Sequence, residues 1–276
     1  MISAFKVLKE QLNSFYLMMR LSMYELKIKN NNNYLGMLWE ILNPAIQISV
    51  YWIVFGMGMR NNSNVGDVPF LQWLVAGIVI WFFISPAILQ GSKSIYTRIK
   101  IISKMNFPLS VIPSYVIFSI LYPNAMLLGI IAVIFQFTDK KISLYYLQLP
   151  YYMLAAVALV FSLSLITSTL STIVRDVQMF VQSIMRMLFY VTPILWNPFE
   201  NENLPKFLLY LVKANPFTYI VEGFRDALLS RGWFFENSQQ SPHLEYTLYF
   251  WGLVLVLFLI GSTLHVKLRN RFVDYL

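Results

Sequence analysis

"FLQWLVAGIVIWFFISPAILQ" (70–90) contains no Asp, Glu, Lys or Arg. A helix of about 20 mainly apolar residues is what crosses the hydrocarbon core of a bilayer. This stretch therefore predicts a membrane span. Segments 41–59, 109–137, 149–174, 177–197 and 246–266 share its character; within them the only charged residue is Arg186, and His265 stands near the end of the last. The fold class that follows is an all-α membrane protein with six transmembrane helices. The third run is longer than one bilayer thickness, so it tilts or breaks, and Pro113 and Pro123 are the expected breaks.

Composition agrees. Of 276 residues, 58% are hydrophobic, 17% aromatic and 12% charged, where a soluble domain carries about 25% charged residues. The net charge of +8 would suggest nucleic acid in a soluble protein. In a membrane protein it marks cytoplasmic loops instead, and no nucleic-acid partner is expected. There are no cysteines, which excludes disulfides and thiolate chemistry. The first apolar stretch is interrupted by Lys6, Lys9 and Glu10, so no cleavable signal peptide is expected.

Six spans place both termini on one side of a multi-pass protein. Lys6, Lys9, Arg20, Lys27, Lys29, Lys93, Arg98, Lys100, Lys104, Arg175, Lys267, Arg269 and Arg271 fall on that side. Arg60, Lys140, Lys141, Lys206, Lys213, Arg225 and Arg231 fall on the other. The larger set belongs in the cytoplasm by the positive-inside rule. Residues 60–69, 138–148 and 198–245 then face outward.

The chain divides into an N-terminal arm, 1–32, and a transmembrane domain, 33–270. In the arm Phe5, Leu8, Leu12, Phe15, Met19, Met23 and Leu26 recur at the helical period. Lys6, Lys9, Glu10, Asn13, Arg20, Glu25 and Lys27 take the opposite face. Such a basic amphipathic helix lies along the inner leaflet, or packs on a partner. "NNNN" (30–33) ends it, and Pro44 stands at the cytoplasmic end of the first span.

Several chemistries are missing. "QGSKS" (90–94) lacks the spacing and leading Gly of a phosphate loop. No H-E-x-x-H occurs, the only histidines are His243 and His265, and no metal site or catalytic residue is expected. Intramembrane carboxylates of an ion-coupled carrier are also lacking. Such a transporter is passive or is driven by another chain. Loop 98–108 carries Arg98, Lys100 and Lys104 with no acid, then turns at Asn106-Phe107-Pro108. Orientation and phospholipid contact would explain its cations but not its aromatic corner.

"NYLGMLWEILNPAIQ" (33–47), "SKMNFPLSVIPSY" (103–115), "VRDVQMFVQSIMRMLFYVTPILW" (174–196) and "NPFTYIVEGFR" (215–225) resemble the type-2 ATP-binding-cassette permeases. More narrowly they are similar to those that translocate wall teichoic acid, with O-antigen and capsule permeases as sisters. The resemblance covers essentially the whole chain and implies a homodimer in the bacterial plasma membrane, docked to two copies of a cytosolic ATPase. ATP and Mg would be bound by that partner, and this chain would hold no cofactor of its own. The cargo would be a polymer on a polyprenyl pyrophosphate, moved between the two permeases in cell-wall biogenesis. An interfacial arm, coupling helices and short outer re-entrant helices before the last span belong to that architecture.

On this footing Arg98, Lys100, Lys104, Asn106 and Phe107 form the coupling helix that sits in the ATPase; the plainer reading is a topological anchor. Arg175 and Asp176 make the hinge between the fourth and fifth spans, with a minor ATPase contact, or a simple charged turn. Arg186 lies near mid-span, where a cation costs about 2.5–3.5 kcal/mol on insertion scales. It binds the pyrophosphate, braces against Glu40, or snorkels along its own helix. Tyr51, Trp52, Phe55 and Phe189 are channel-wall candidates, although headgroup belts are the usual place for aromatic residues.

An outer helix is expected over 216–230. Asn215 caps it, Pro216 opens it and Gly232 closes it. Phe217, Ile220, Val221, Phe224 and Leu228 make its apolar face, with Glu222, Arg225 and Asp226 opposite. If exposed, the Glu222–Arg225 pair contributes only a few tenths of a kcal/mol. A gating role requires that it be shielded. Two readings from other classes are a passive channel and a membrane-embedded transferase on lipid-linked sugars.

Overall fold

The computed structural model describes residues 2–31, 33–59, 64–102, 107–138, 142–198, 204–233, 244–270 and 272. These residues are helical throughout, apart from turns and an isolated bridge between Val65 and Val68. The arm forms α1 (Ile2–Asn13) and α2 (Phe15–Asn30). A short 3-10 turn, Gly36–Leu38, leads into α3 (Trp39–Tyr51), which widens into a π-helical segment, Trp52–Met59. Then come α4 (Phe70–Ile102), α5 (Val111–Phe135), α6 (Leu149–Ile173) and α7 (Asp176–Val191). The short α8 (Lys206–Ala214) and α9 (Pro216–Leu229) precede α10 (Leu244–Leu268).

Five stretches are long and apolar enough to cross a membrane: Gly36–Gly58, Phe70–Arg98, Val111–Phe135, Leu144–Ile173 and Leu244–Leu268. The expected fifth span, 177–197, is realised as the shorter α7. Its 16 residues reach about 24 Å at 1.5 Å per residue. Thr192 turns extended, as the residue before a proline prefers, and Pro193 cannot continue the helix. The third run does not break. Pro113 sits in the first turn of α5, where no amide hydrogen is needed, and Pro123 is carried inside the helix.

The core gathers around α4, which packs against α5, α6 and α9. Of the apolar window of Phe70–Arg98, 67% is buried, against 6% for Gly36–Gly58. Close helix approach explains part of this. A Cβ on Gly91 would collide with the Ser164 side chain of α6, so glycine is what lets the two helices meet. Over its 33 residues α4 extends for about 50 Å, well beyond a bilayer core of about 30 Å. Residues 98–102, expected as part of a separate short helix-turn, are the last turns of this one long helix.

The arm bends at Ser14 and uses two faces. Ala4, Val7, Met18, Ser22 and Leu26 are buried against the bundle. Most of the expected apolar stripe, including Phe5, Leu8, Leu12, Phe15 and Met23, is exposed and free to meet lipid.

Candidate translocation and coupling sites

Helix α9 begins as its sequence prescribes. Asn215 Oδ1 accepts from the Phe217 amide at 3.0 Å, and Pro216 fills the first position. It closes differently, with Ser230 rather than Gly232 in the left-handed conformation (φ 56°). The larger surprise is burial. Every residue from Phe217 to Leu229 is buried, the expected polar face included.

Arg225 is completely enclosed. It donates to Glu222 Oε1 at 2.5 Å and to the backbone oxygens of Pro193 at 2.5 Å, Ile194 at 2.9 Å and Trp73 at 3.3 Å. Its guanidinium also lies 3.5 Å from the centroid of the Trp73 ring. A Cβ on Gly77 would stand 2.5 Å from Nη2, so the glycine opens the notch in α4 that receives it. Arg231 approaches the other Glu222 oxygen at 3.8 Å. Asp226 is buried beside this group. One guanidinium thus ties α9, α4 and the turn after α7 together. A buried charge is retained only when it is paired and hydrogen-bonded, and here each of the three nitrogens has an acceptor.

An aromatic row leads away from this anchor. Tyr51 lies 5.6 Å from Phe189, Phe189 5.8 Å from Trp81, and Trp81 5.8 Å from Phe217, centroid to centroid. Two channel candidates, Tyr51 on α3 and Phe189 on α7, are therefore in contact, and the row runs through α4 to α9. Trp52 and Phe55 are also packed against the core cluster. Arg186 stands on the exposed side of α7, with Ser183 at 3.4 Å. Met179, Phe180, Met187 and Tyr190 are exposed on the same helix. The suggested brace to Glu40 does not form, because Glu40 is held by Lys29 at 2.6 Å.

At the other end of α4, Arg98 pairs with Glu25 of α2 and lies 5.7 Å from the Tyr115 ring. Phe107 is half-buried and packed against the core cluster. Lys104 and Asn106 lie outside the described residues, as does the side chain of Lys100. Glu10 accepts from Ser110 and from Arg269 at 3.0 Å, while Gln11 donates to the Ser110 oxygen at 2.8 Å. The arm therefore grips both ends of the connection from α4 to α5. Arg175 and Asp176 are exposed at the start of α7. Gln178 meets Ser92, which sets that turn at the same end of α4 as Arg98.

Glu10, Glu25 and Trp73 carried no sequence signal for these roles, because their partners are roughly 70 to 260 residues away. The one available hint was the i,i+3 spacing of Glu222 and Arg225, which says nothing about burial.

The described residues form a bundle of long apolar helices around a short buried helix, with a basic connection held by the N-terminal arm. Residues 16–229 match the model of the ABC-2 type transporter, and the chain belongs to that family. It is 26% identical over 263 residues to the O-antigen export system permease protein RfbA of Klebsiella pneumoniae, covering 95% of each chain. To the protein of the same name from Myxococcus xanthus it is 24% identical over 260 residues, covering 94% of each. It is thus a multi-pass membrane protein, the transmembrane component of such a transporter and not itself its catalyst.

Proposed function

We propose that the chain is the permease of an ATP-driven exporter that carries lipid-linked wall teichoic acid across the bacterial plasma membrane. The observation that carries a permease reading is the exposed α3–α7 face. A span with 6% of its apolar window buried beside the aromatic row is an unfinished wall. A second copy of the chain completes it and encloses a passage lined by Tyr51, Trp52, Phe55 and Phe189, with Arg186 facing the cargo pyrophosphate. In this reading α7 serves as the fifth of six spans and both termini are cytoplasmic. The ATPase, in two copies with ATP and Mg, docks on 98–108 and on Arg175-Asp176, and α9 stands at the outer exit. The teichoic acid assignment rests on the motifs of residues 33–47, 103–115, 174–196 and 215–225. Export of O-antigen is the second reading, favoured by the full-length likeness to the RfbA permeases.

The test is reconstitution of the purified permease–ATPase complex in vesicles with either polymer on its polyprenyl carrier. Nucleotide-dependent transfer of teichoic acid but not O-antigen is expected; the reverse preference would overturn the assignment. Topology is read separately in intact cells, since the chain has no native cysteine. Pro205→Cys should react with an impermeant reagent and Thr97→Cys should not.

A further inference from the structure

A cavity of about 160 Å³ opens between α3, α4 and α5, with the end of α2 at its rim. Its only lining cation, Lys29, is already held by Glu40 at 2.6 Å. Asn30 donates to the same carboxylate oxygen at 3.4 Å. A phosphate would therefore find no free positive charge among the lining residues.

What the wall offers is acceptors. Asn124 is 5% exposed, and its Nδ2 donates to the Val79 oxygen at 2.8 Å. That carbonyl can only accept, which fixes the orientation of the amide. Oδ1 has no partner, and a buried acceptor without a donor is costly. Three helix prolines line the same space: Pro44 from α3, Pro86 from α4 and Pro123 from α5. Lacking amide hydrogens, Pro44 and Pro86 withhold donors from the carbonyls one turn earlier, on the lining residues Glu40 and Phe82. Asn43 and Gln47 add amide groups, and Trp39 and Phe82 add flat apolar faces. A cavity of about 150 Å³ admits benzene, so this one has room for a single six-membered ring.

Acceptors, amides and aromatic faces around a ring-sized space match a sugar, whose hydroxyls donate outward and whose C–H face is apolar. We propose that this cavity is a saccharide subsite, seating one pyranose ring attached to a lipid. Hydroxyls donate to Asn124 Oδ1 and the proline-released carbonyls, and the ring rests against Trp39 or Phe82. The proposal rests on the lipid-linked cargo of the proposed function, and it separates recognition of the sugar from recognition of the pyrophosphate.

The test uses the full chain in lipid nanodiscs and a dodecyl β-glucoside carrying a diazirine on its sugar, with labelled peptides mapped by mass spectrometry. Labelling is expected within 36–47 or 120–127 and should be displaced by unmodified dodecyl glucoside. Neither dodecylphosphocholine nor phosphatidylethanolamine should displace it. Displacement by phosphatidylethanolamine would make this an amine-headgroup pocket, and equal displacement by free glucose would make the ligand soluble; either overturns the proposal. Asn124→Leu should weaken displaceable labelling about tenfold, equivalent to about 1.4 kcal/mol. Asn43→Leu and Gln47→Leu alter exposed positions of α3, keep the fold, and should each weaken it about threefold. Parental labelling in all three variants would overturn the subsite. Because the readout is binding, it stands or falls independently of which polymer the vesicles export.

Discussion

Two arginines sit in very different surroundings. Arg186 belongs to a predicted span, yet it stands exposed on α7 with Ser183 as its hydrogen-bond partner. Arg225 belongs to the short helix α9, yet it is sealed among Glu222, Trp73 and the oxygens of Pro193 and Ile194. The difference teaches that depth along the sequence is not depth in the protein. A cation is structural where each of its nitrogens finds an acceptor inside one chain. It is available for a cargo or a second copy where its neighbours leave it open. The same contrast separates the packed α4–α6–α9 half from the open α3–α7 half.

The strongest test of this contrast removes the sealed charge. Arg225→Leu leaves Glu222 poorly paired and strips the donors from three buried carbonyls. Breaking a buried pair in this way costs about 3–5 kcal/mol, so the variant should accumulate poorly and melt far earlier in nanodiscs. Arg225→Lys should recover only part of that loss, because the planar fork is not reproduced. If Arg225→Leu melts like the parent, the anchor is not structural.

Gly77→Ala probes the same site from α4. The added Cβ would meet the guanidinium at 2.5 Å, and overpacking of this kind costs about 1–3 kcal/mol. Combining it with Arg225→Leu should cost less than the sum of the two, since residues in contact couple. Simple additivity in thermal unfolding would argue that the two never touch.

Arg186→Leu should behave in the opposite way. On an exposed face its effect on stability stays within about 0.5 kcal/mol, so membrane level and melting remain those of the parent. Export should nevertheless fall, with Arg186→Lys intermediate. Normal export by the leucine variant would remove Arg186 from the translocation path and confine it to snorkelling.

Glu25→Gln is also expected to be mild for stability. The Glu25–Arg98 pair is partly exposed, and such pairs contribute about 0–1 kcal/mol. If the arm steadies the coupling end of α4, permease-stimulated ATP hydrolysis should drop while assembly with the ATPase persists. Phe107→Asp should instead weaken assembly itself, because a buried aromatic anchor carries a large share of interface energy. Unchanged hydrolysis in both variants would leave 98–108 as a topological loop.

Five of the six expected spans were legible because membrane insertion depends on local composition: a run such as 70–90 or 149–174 must be a helix wherever it ends up. The cap at Asn215-Pro216 was equally local, resting on one side chain and the amide two residues on. The candidate site was only half legible. Tyr51 and Phe189 do meet, but the row that joins them to α9 depends on Trp81 and Phe217, and nothing in residue spacing pairs those helices.

From sequence alone came the helical membrane class, the basic connection after α4, and the helices of the arm and of 216–229, all governed by properties of neighbouring residues. Tertiary structure decided which face of each helix is used. It turned the polar side of α9 inward, because Gly77 leaves a notch and backbone oxygens from two distant turns supply acceptors. It left the stripe of the arm outward, because Glu10, Gln11 and Glu25 bind the bundle from the other face. Burial of a charge is set by the sum of desolvation and all its partners, and those partners converge only when the chain has folded.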